Sequence, residues 1–133
     1  MECITWCAPI LPGKLDQWKA FDRTMQGPRA AEHAASRARH GITREVVSLM
    51  DTPMGELVCL YHEAESISAA LRSIATSQEP YDVWFREQLV ELHGLSAEMM
   101  QGPPPATLYM DFRAGSAVPQ PRTVDLTQKQ PVR

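Results

Sequence analysis

The stretch "ITREVVSLMDTPMGELVCLYHEA", residues 42 to 64, decides the fold. β-Branched and aliphatic residues fill both flanks of "DTPMGE". Pro53 marks a turn there, and Gly55 can take the positive φ that a short hairpin needs, so the stretch reads as two antiparallel strands. Centring the turn between Pro53 and Met54 sets Glu45 opposite His62, Val47 opposite Leu60 and Leu49 opposite Val58 on one face. The other face then carries Arg44 opposite Glu63, Val46 opposite Tyr61, Ser48 opposite Cys59 and Met50 opposite Leu57. A sheet with one wet face alternates apolar with polar residues. This hairpin is apolar on both faces, so helices are expected on one and a second copy of the chain on the other.

Working outward, "ECITWCAPI" (2–10) fits a first strand that stops at Pro9. Leu15, Trp18, Phe21 and Met25 recur at helical spacing, Gly27-Pro28 interrupts, and Ala30, Ala31, Ala34, Ala35 and Ala38 mark a second helix whose small side chains permit close approach to a sheet. Gly41 ends it. After the hairpin, Ile67, Ala70, Leu71 and Ile74 predict a helix over 66–76. Another begins near Pro80, carries Tyr81, Trp84, Phe85, Leu89 and Leu92, and stops at Gly94. "QGPPPA" is a stiff connector, and "TLYMDFRA" (107–114) alternates Leu108, Met110 and Phe112 against Tyr109 and Asp111, which predicts a last strand. The order is strand, helix, strand, strand, helix, strand. That is an α+β, ferredoxin-like βαββαβ arrangement, with a four-stranded antiparallel sheet and helices on one face. Residues 1–114 form the domain. The tail, 115–133, is too poor in large apolar residues to make its own core and is expected to pack on the partner subunit.

The strand order, the doubly apolar sheet and the segments "TPMGELVCLYHEAE" and "PYDVWFREQLVELHG" resemble the dimeric α+β barrel superfamily, which includes antibiotic-biosynthesis monooxygenases. The resemblance covers about residues 1 to 114 and rests on structural rather than catalytic motifs. It implies a homodimer whose sheets close into a barrel, with a pocket in each subunit between sheet and helices. It also implies the activities of that group: cofactor-free oxygenases, cyclases and isomerases on aromatic or polyketide-like compounds, haem enzymes, and proteins without established activity.

The formal charge of -3 over 133 residues argues against nucleic acid and anionic membrane as partners. No apolar run approaches the roughly 20 residues that span a bilayer, and Glu2 stands where a signal peptide carries positive charge, so a cytoplasmic protein is expected. Cys3, Cys7 and Cys59 are odd in number with no C-x-x-C pair, which fits reduced thiols rather than a disulfide framework or zinc site. Phosphate-binding glycine loops, nucleophile elbows and dinucleotide fingerprints are missing.

Among the histidines, His33 and His40 lie seven apart, too far to share a metal, and read as solvated helix surface. His93 reads as a cation at a helix C-terminus. His62 differs, because the register puts it beside Glu45 on a face otherwise filled by Val and Leu. A carboxylate that accepts from one ring nitrogen fixes the tautomer and leaves the other nitrogen as a base, which makes His62 and Glu45 the candidate catalytic pair. The competing reading is a cross-strand polar pair at the sheet's end, as for Arg44 and Glu63. Trp6, Tyr61, Trp84, Tyr109 and Asp111 are candidate substrate-binding residues, with core packing as the alternative for the aromatics. Two function classes follow. One is a small enzyme, needing no metal or cofactor, that acts on an apolar aromatic molecule. The other is a non-catalytic dimer that binds a small ligand or another protein. A haem or metal enzyme stands third.

Overall fold

The hairpin forms in the expected register. In a computed structural model of the protein, which describes residues 1–115, β2 (Ile42–Thr52) and β3 (Gly55–Ala64) run antiparallel around Pro53-Met54, with Glu45 opposite His62 and Thr52 opposite Gly55. Gly55 takes φ +117°, a conformation costly for any residue with a Cβ. One irregularity lies at the far end, where the register shifts between Ile42 and Arg44. Ile42 and Glu45 are three residues apart and would face opposite sides of a regular strand. The extra residue, Thr43, turns both toward the helices, so Ile42 reaches the core while Glu45 stays beside His62.

The first strand, β1 (Glu2–Pro9), pairs antiparallel with β3, so the sheet order is β1-β3-β2. Five helices complete the described chain: α1 (Leu15–Gln26), α2 (Ala30–Arg39), α3 (Ile67–Thr76), α4 (Pro80–His93) and α5 (Ala97–Gln101). Ser66 caps α3 by accepting from the Ala69 N–H, and Gly94 ends α4 at φ +69°. Helices cover the face bearing Ile4, Trp6 and Ala8 of β1 and Val58, Leu60 and His62 of β3. Two apolar clusters form there. Ile4, Ile42, Ala64, Ile67, Ala70 and Ile74 make one, and Ile10, Trp18, Phe21, Val58 and Leu92 make the other, with Phe85 packed against both.

The four-stranded ferredoxin-like sheet, and with it the dimeric α+β barrel expected from it, is corrected by this topology: among the described residues the sheet has three strands. Residues 107–113 form no ladder, and Tyr109, Met110 and Phe112 are 75%, 79% and 73% exposed. Three consecutive prolines, Pro103–Pro105, supply no N–H donors and line a cavity on the helix side. Ala106 then packs on the Ile4 cluster. The alternation of Leu108, Met110 and Phe112 thus belongs to a segment that joins no sheet edge. The expected packing of the tail, 115–133, falls beyond Gly115 outside the described residues.

α2 also turns a different face inward from the one its alanines suggest. Ala30, Ala31, Ala34, Ala35 and Ala38 are exposed. The face toward the protein carries His33, Ser36, Arg37 and His40, of which the last three are buried. His33 and His40 are therefore not solvated helix surface. No helix among the described residues is long and apolar enough to cross a membrane.

Candidate functional site

A cavity of about 350 Å³ lies between the sheet and the helices. Trp6, Leu60 and His62 form its sheet wall, with Glu45 from β2. Leu71 and Ile74 of α3 and Phe85 and Leu89 of α4 supply apolar sides. Leu95, Met99 and Met100, with Gly102 and the three prolines, close it. Arg37 enters from α2. The cavity is apolar except at one end, where Glu45, His62 and Arg37 meet.

The geometry of that end follows from a chain of hydrogen bonds. His62, only 4% exposed, lies with Nε2 2.9 Å from Glu45 Oε2. Trp6 Nε1–H, which can only donate, points at His62 Nδ1 across a long 3.4 Å contact, and the two rings stack. Nδ1 is therefore assigned as the unprotonated nitrogen and Nε2–H as the donor to Glu45. The other Glu45 oxygen accepts from His33 Nε2 at 2.7 Å, and His33 Nδ1 accepts from the Tyr81 hydroxyl at 2.6 Å. Arg37 Nη1 stands 3.6 Å from Glu45 Oε2. Burial alone would raise the Glu45 pKa. The hydrogen bonds from His33 and His62 and the charge of Arg37 outweigh it and hold the carboxyl well below the usual carboxylate range. Burial pushes the Tyr81 hydroxyl up to about 12, so it remains a donor to His33.

Glu45 is thus a fixed anion held from three sides, and His62 is held in one tautomer with its basic nitrogen toward Trp6. An imidazole that takes a proton at Nδ1 becomes a cation already paired with a carboxylate, which is the requirement for a general base in an apolar cavity.

Of the sequence-derived candidates, Glu45, His62 and Trp6 come together at the cavity. Tyr61 faces the opposite side of the sheet and donates to Glu63 at 2.5 Å. Arg44 stacks over the Tyr61 ring, so the expected ion pair between Arg44 and Glu63 is replaced by this arrangement. Trp84 packs against Phe21 and Tyr81 beneath Arg29. Tyr109 is exposed, and Asp111 meets Arg113 of its own segment. His93 is buried with Nδ1–H donating to the Pro9 carbonyl at 2.8 Å; burial lowers its pKa against that bond, so it is not a helix-end cation. Cys7 and Cys59 are cross-strand neighbours with Sγ atoms 3.6 Å apart, and all three cysteines are free thiols.

Two features escaped the sequence reading. Arg37 and His33 belong to the site, and their spacing with His40, at i, i+4 and i+7 of one helix, is the signal that marks a polar inward face. The second feature is a buried hub on Asp82, 1% exposed, which accepts from Ser36 at 2.5 Å, Ser77 at 2.5 Å, Arg39 at 2.9 Å and His40 at 2.8 Å. Burial opposes ionisation there, but these four donors hold Asp82 well below its ordinary pKa. His40 Nδ1 also meets Ser73 Oγ at 2.6 Å, so Ser73, His40 and Asp82 share the residue types of a hydrolytic triad. None of the three lines the cavity, and Asp82 on α4 is saturated by donors from α2, from the residue that ends it and from the residue that ends α3, so the hub ties three helices together. No group of His, Cys, Asp and Glu among the described residues has the geometry to hold a metal ion. Comparison with protein-family models, with curated proteins and with solved structures finds no match for this chain.

Proposed function

We propose that the protein is a small-molecule enzyme that moves a proton on an apolar, aromatic or polyketide-like compound held in the cavity, as an oxygenase, cyclase or isomerase would need. The observation that carries the reading is the single polar end of an otherwise apolar cavity, where His62 Nδ1 is unprotonated, engaged only by the long 3.4 Å contact from Trp6 Nε1–H, and Nε2–H is fixed by an anionic Glu45. The substrate displaces the long Trp6 N–H contact and gives up a C–H or O–H proton to Nδ1, and the electron pair of the broken bond stays on the substrate. The imidazolium is stabilised by Glu45, which is in turn oriented by His33 and Tyr81. Phe85 and Leu89 form walls of the cavity rather than a plug, which favours ligand entry over a filled core.

The reading is tested without knowing the substrate's full reaction. The protein is incubated with 2-acetylnaphthalene in deuterated water, and deuterium uptake at the methyl carbon beside the carbonyl is followed by NMR. Acceleration by the wild type and its loss in His62→Ala, with the fold intact by circular dichroism, support proton transfer at His62. Equal exchange with both proteins refutes it.

A further inference from the structure

Arg37 is the unexplained group of the cavity. Its side chain is 9% exposed, its guanidinium lies over the Phe85 ring at 4.5 Å, and Nη1 is its only nitrogen near a carboxylate. Nε and Nη2 are buried and have no hydrogen-bond partner among the described residues. These two nitrogens share one edge of the guanidinium, the edge that offers two parallel N–H donors. Buried donors of a charged group are almost always paired. The residue lines the same cavity as His62 and Glu45, so a small turn of the guanidinium toward that cavity would bring the two unpartnered nitrogens to a ligand oxygen.

Charge balance narrows what that acceptor is. Around Arg37 stand Glu45 of β2, His62 of β3, His33 of its own helix and Tyr81 and Phe85 of α4. With neutral imidazoles and a neutral phenol, the Arg37 cation and Glu45 anion cancel. A permanently anionic ligand would leave uncompensated charge among walls that are mostly apolar side chains, which is costly. A neutral ligand that ionises inside avoids this, because each negative charge on its oxygen is matched by a proton on His62.

We propose that Arg37 binds the oxygen of the substrate and stabilises it as an oxyanion, so that the cavity selects neutral acids with an adjacent oxygen: enolisable ketones or acidic phenols. In the step, the substrate C–H or O–H bond breaks and its proton forms an N–H bond with His62 Nδ1. The electron pair comes to rest on the oxygen facing Nε and Nη2 of Arg37. Nothing is oxidised or reduced. The inference rests on the proton-transfer reading above and adds the group that receives the charge.

The probes are 4-nitrophenol, whose anion is yellow, and 4-nitroanisole, its methyl ether with no acidic proton. Both are expected to bind the wild-type protein. Bound 4-nitrophenol is expected to be phenolate at a pH about one unit below its free pKa, about a tenfold enrichment of the anion. Arg37→Met should bind 4-nitroanisole as before and lose the enrichment, and Arg37→Lys, which keeps charge without the paired donors, should retain only part of it. If both probes bind but the phenol stays neutral, or Arg37→Met keeps the yellow anion, the role of Arg37 is overturned while the cavity stands. If neither probe binds the wild type, both readings fall. The wild-type comparison needs no variant to fold.

Discussion

Replacing Glu45 by glutamine exchanges an acceptor of two imidazole N–H bonds for a group with one oxygen and one NH2. One histidine must then change tautomer. His62 resists the change, because a proton on Nδ1 would break its long contact with the donor-only Trp6 Nε1–H. His33 can change, because the Tyr81 oxygen, 2.6 Å away, can accept as well as donate. The expected variant keeps His62 bonded to the amide oxygen, flips His33, and loses one charge-assisted hydrogen bond and the ionic partner of Arg37. Hydrogen bonds to charged groups are worth about 1.5–3 kcal/mol, and that is the stability loss expected at pH 7. In a domain of this size the melting point falls by roughly 3–5 °C per kcal/mol. The pH dependence has a definite sign. Folding lowers the Glu45 pKa, so its stabilisation is fully present above the ordinary value of 4.5 and is lost as pH falls below it. Urea unfolding of wild type and Glu45→Gln between pH 7 and pH 3 should show a gap that narrows in acid. Equal midpoints at pH 7, or a gap as wide at pH 3, would refute the assignment of Glu45 as a buried, hydrogen-bonded anion.

Other outcomes follow from the same contacts. Asp82→Ala strips the acceptor from His40, Ser36, Ser77 and Arg39 and should cost about 3–5 kcal/mol in urea unfolding, whereas Arg39→Ala, at a side chain 36% exposed, should cost about 1 kcal/mol. The sheet face away from the helices carries Val46, Met50, Leu57 and Tyr61, and we propose that it pairs two copies. Light scattering at micromolar concentration should give twice the chain mass of 14.9 kDa, and a monomer mass would rule the pairing out.

The hairpin was legible because Pro53 and Gly55 leave one place for a tight turn, and a two-residue turn fixes every cross-strand pair. That register alone brought Glu45 to His62. The helices after Leu15, Ile67 and Pro80 were legible for the same local reason, since their breakers and apolar stripes agree. The inward face of α2 was not. Five alanines set its apparent apolar side, yet small side chains gain little from burial, and the helix instead turns His33, Arg37 and His40 toward Glu45 and Asp82. Asp82 lies on α4, 42 residues beyond His40, and Glu45, though only 12 residues beyond His33, lies on β2 past the turn at Gly41. The last strand failed because alternation reports an extended chain, not a partner to bond with. Nothing local to residues 107–114 says that the prolines before them lead the chain along the cavity.

The central claim is that His62 keeps Nδ1 unprotonated, open to a ligand that displaces the long Trp6 N–H contact, while Nε2–H is held by Glu45. The most direct measurement is the ¹⁵N NMR spectrum of the His62 ring near neutral pH, with and without 2-acetylnaphthalene. The account predicts a pyridine-like Nδ1 and a pyrrole-like Nε2 in the free protein, with Nδ1 shifting as the ketone binds. A protonated Nδ1 in the free protein, or a His62 ring indifferent to a ketone that binds, would contradict it.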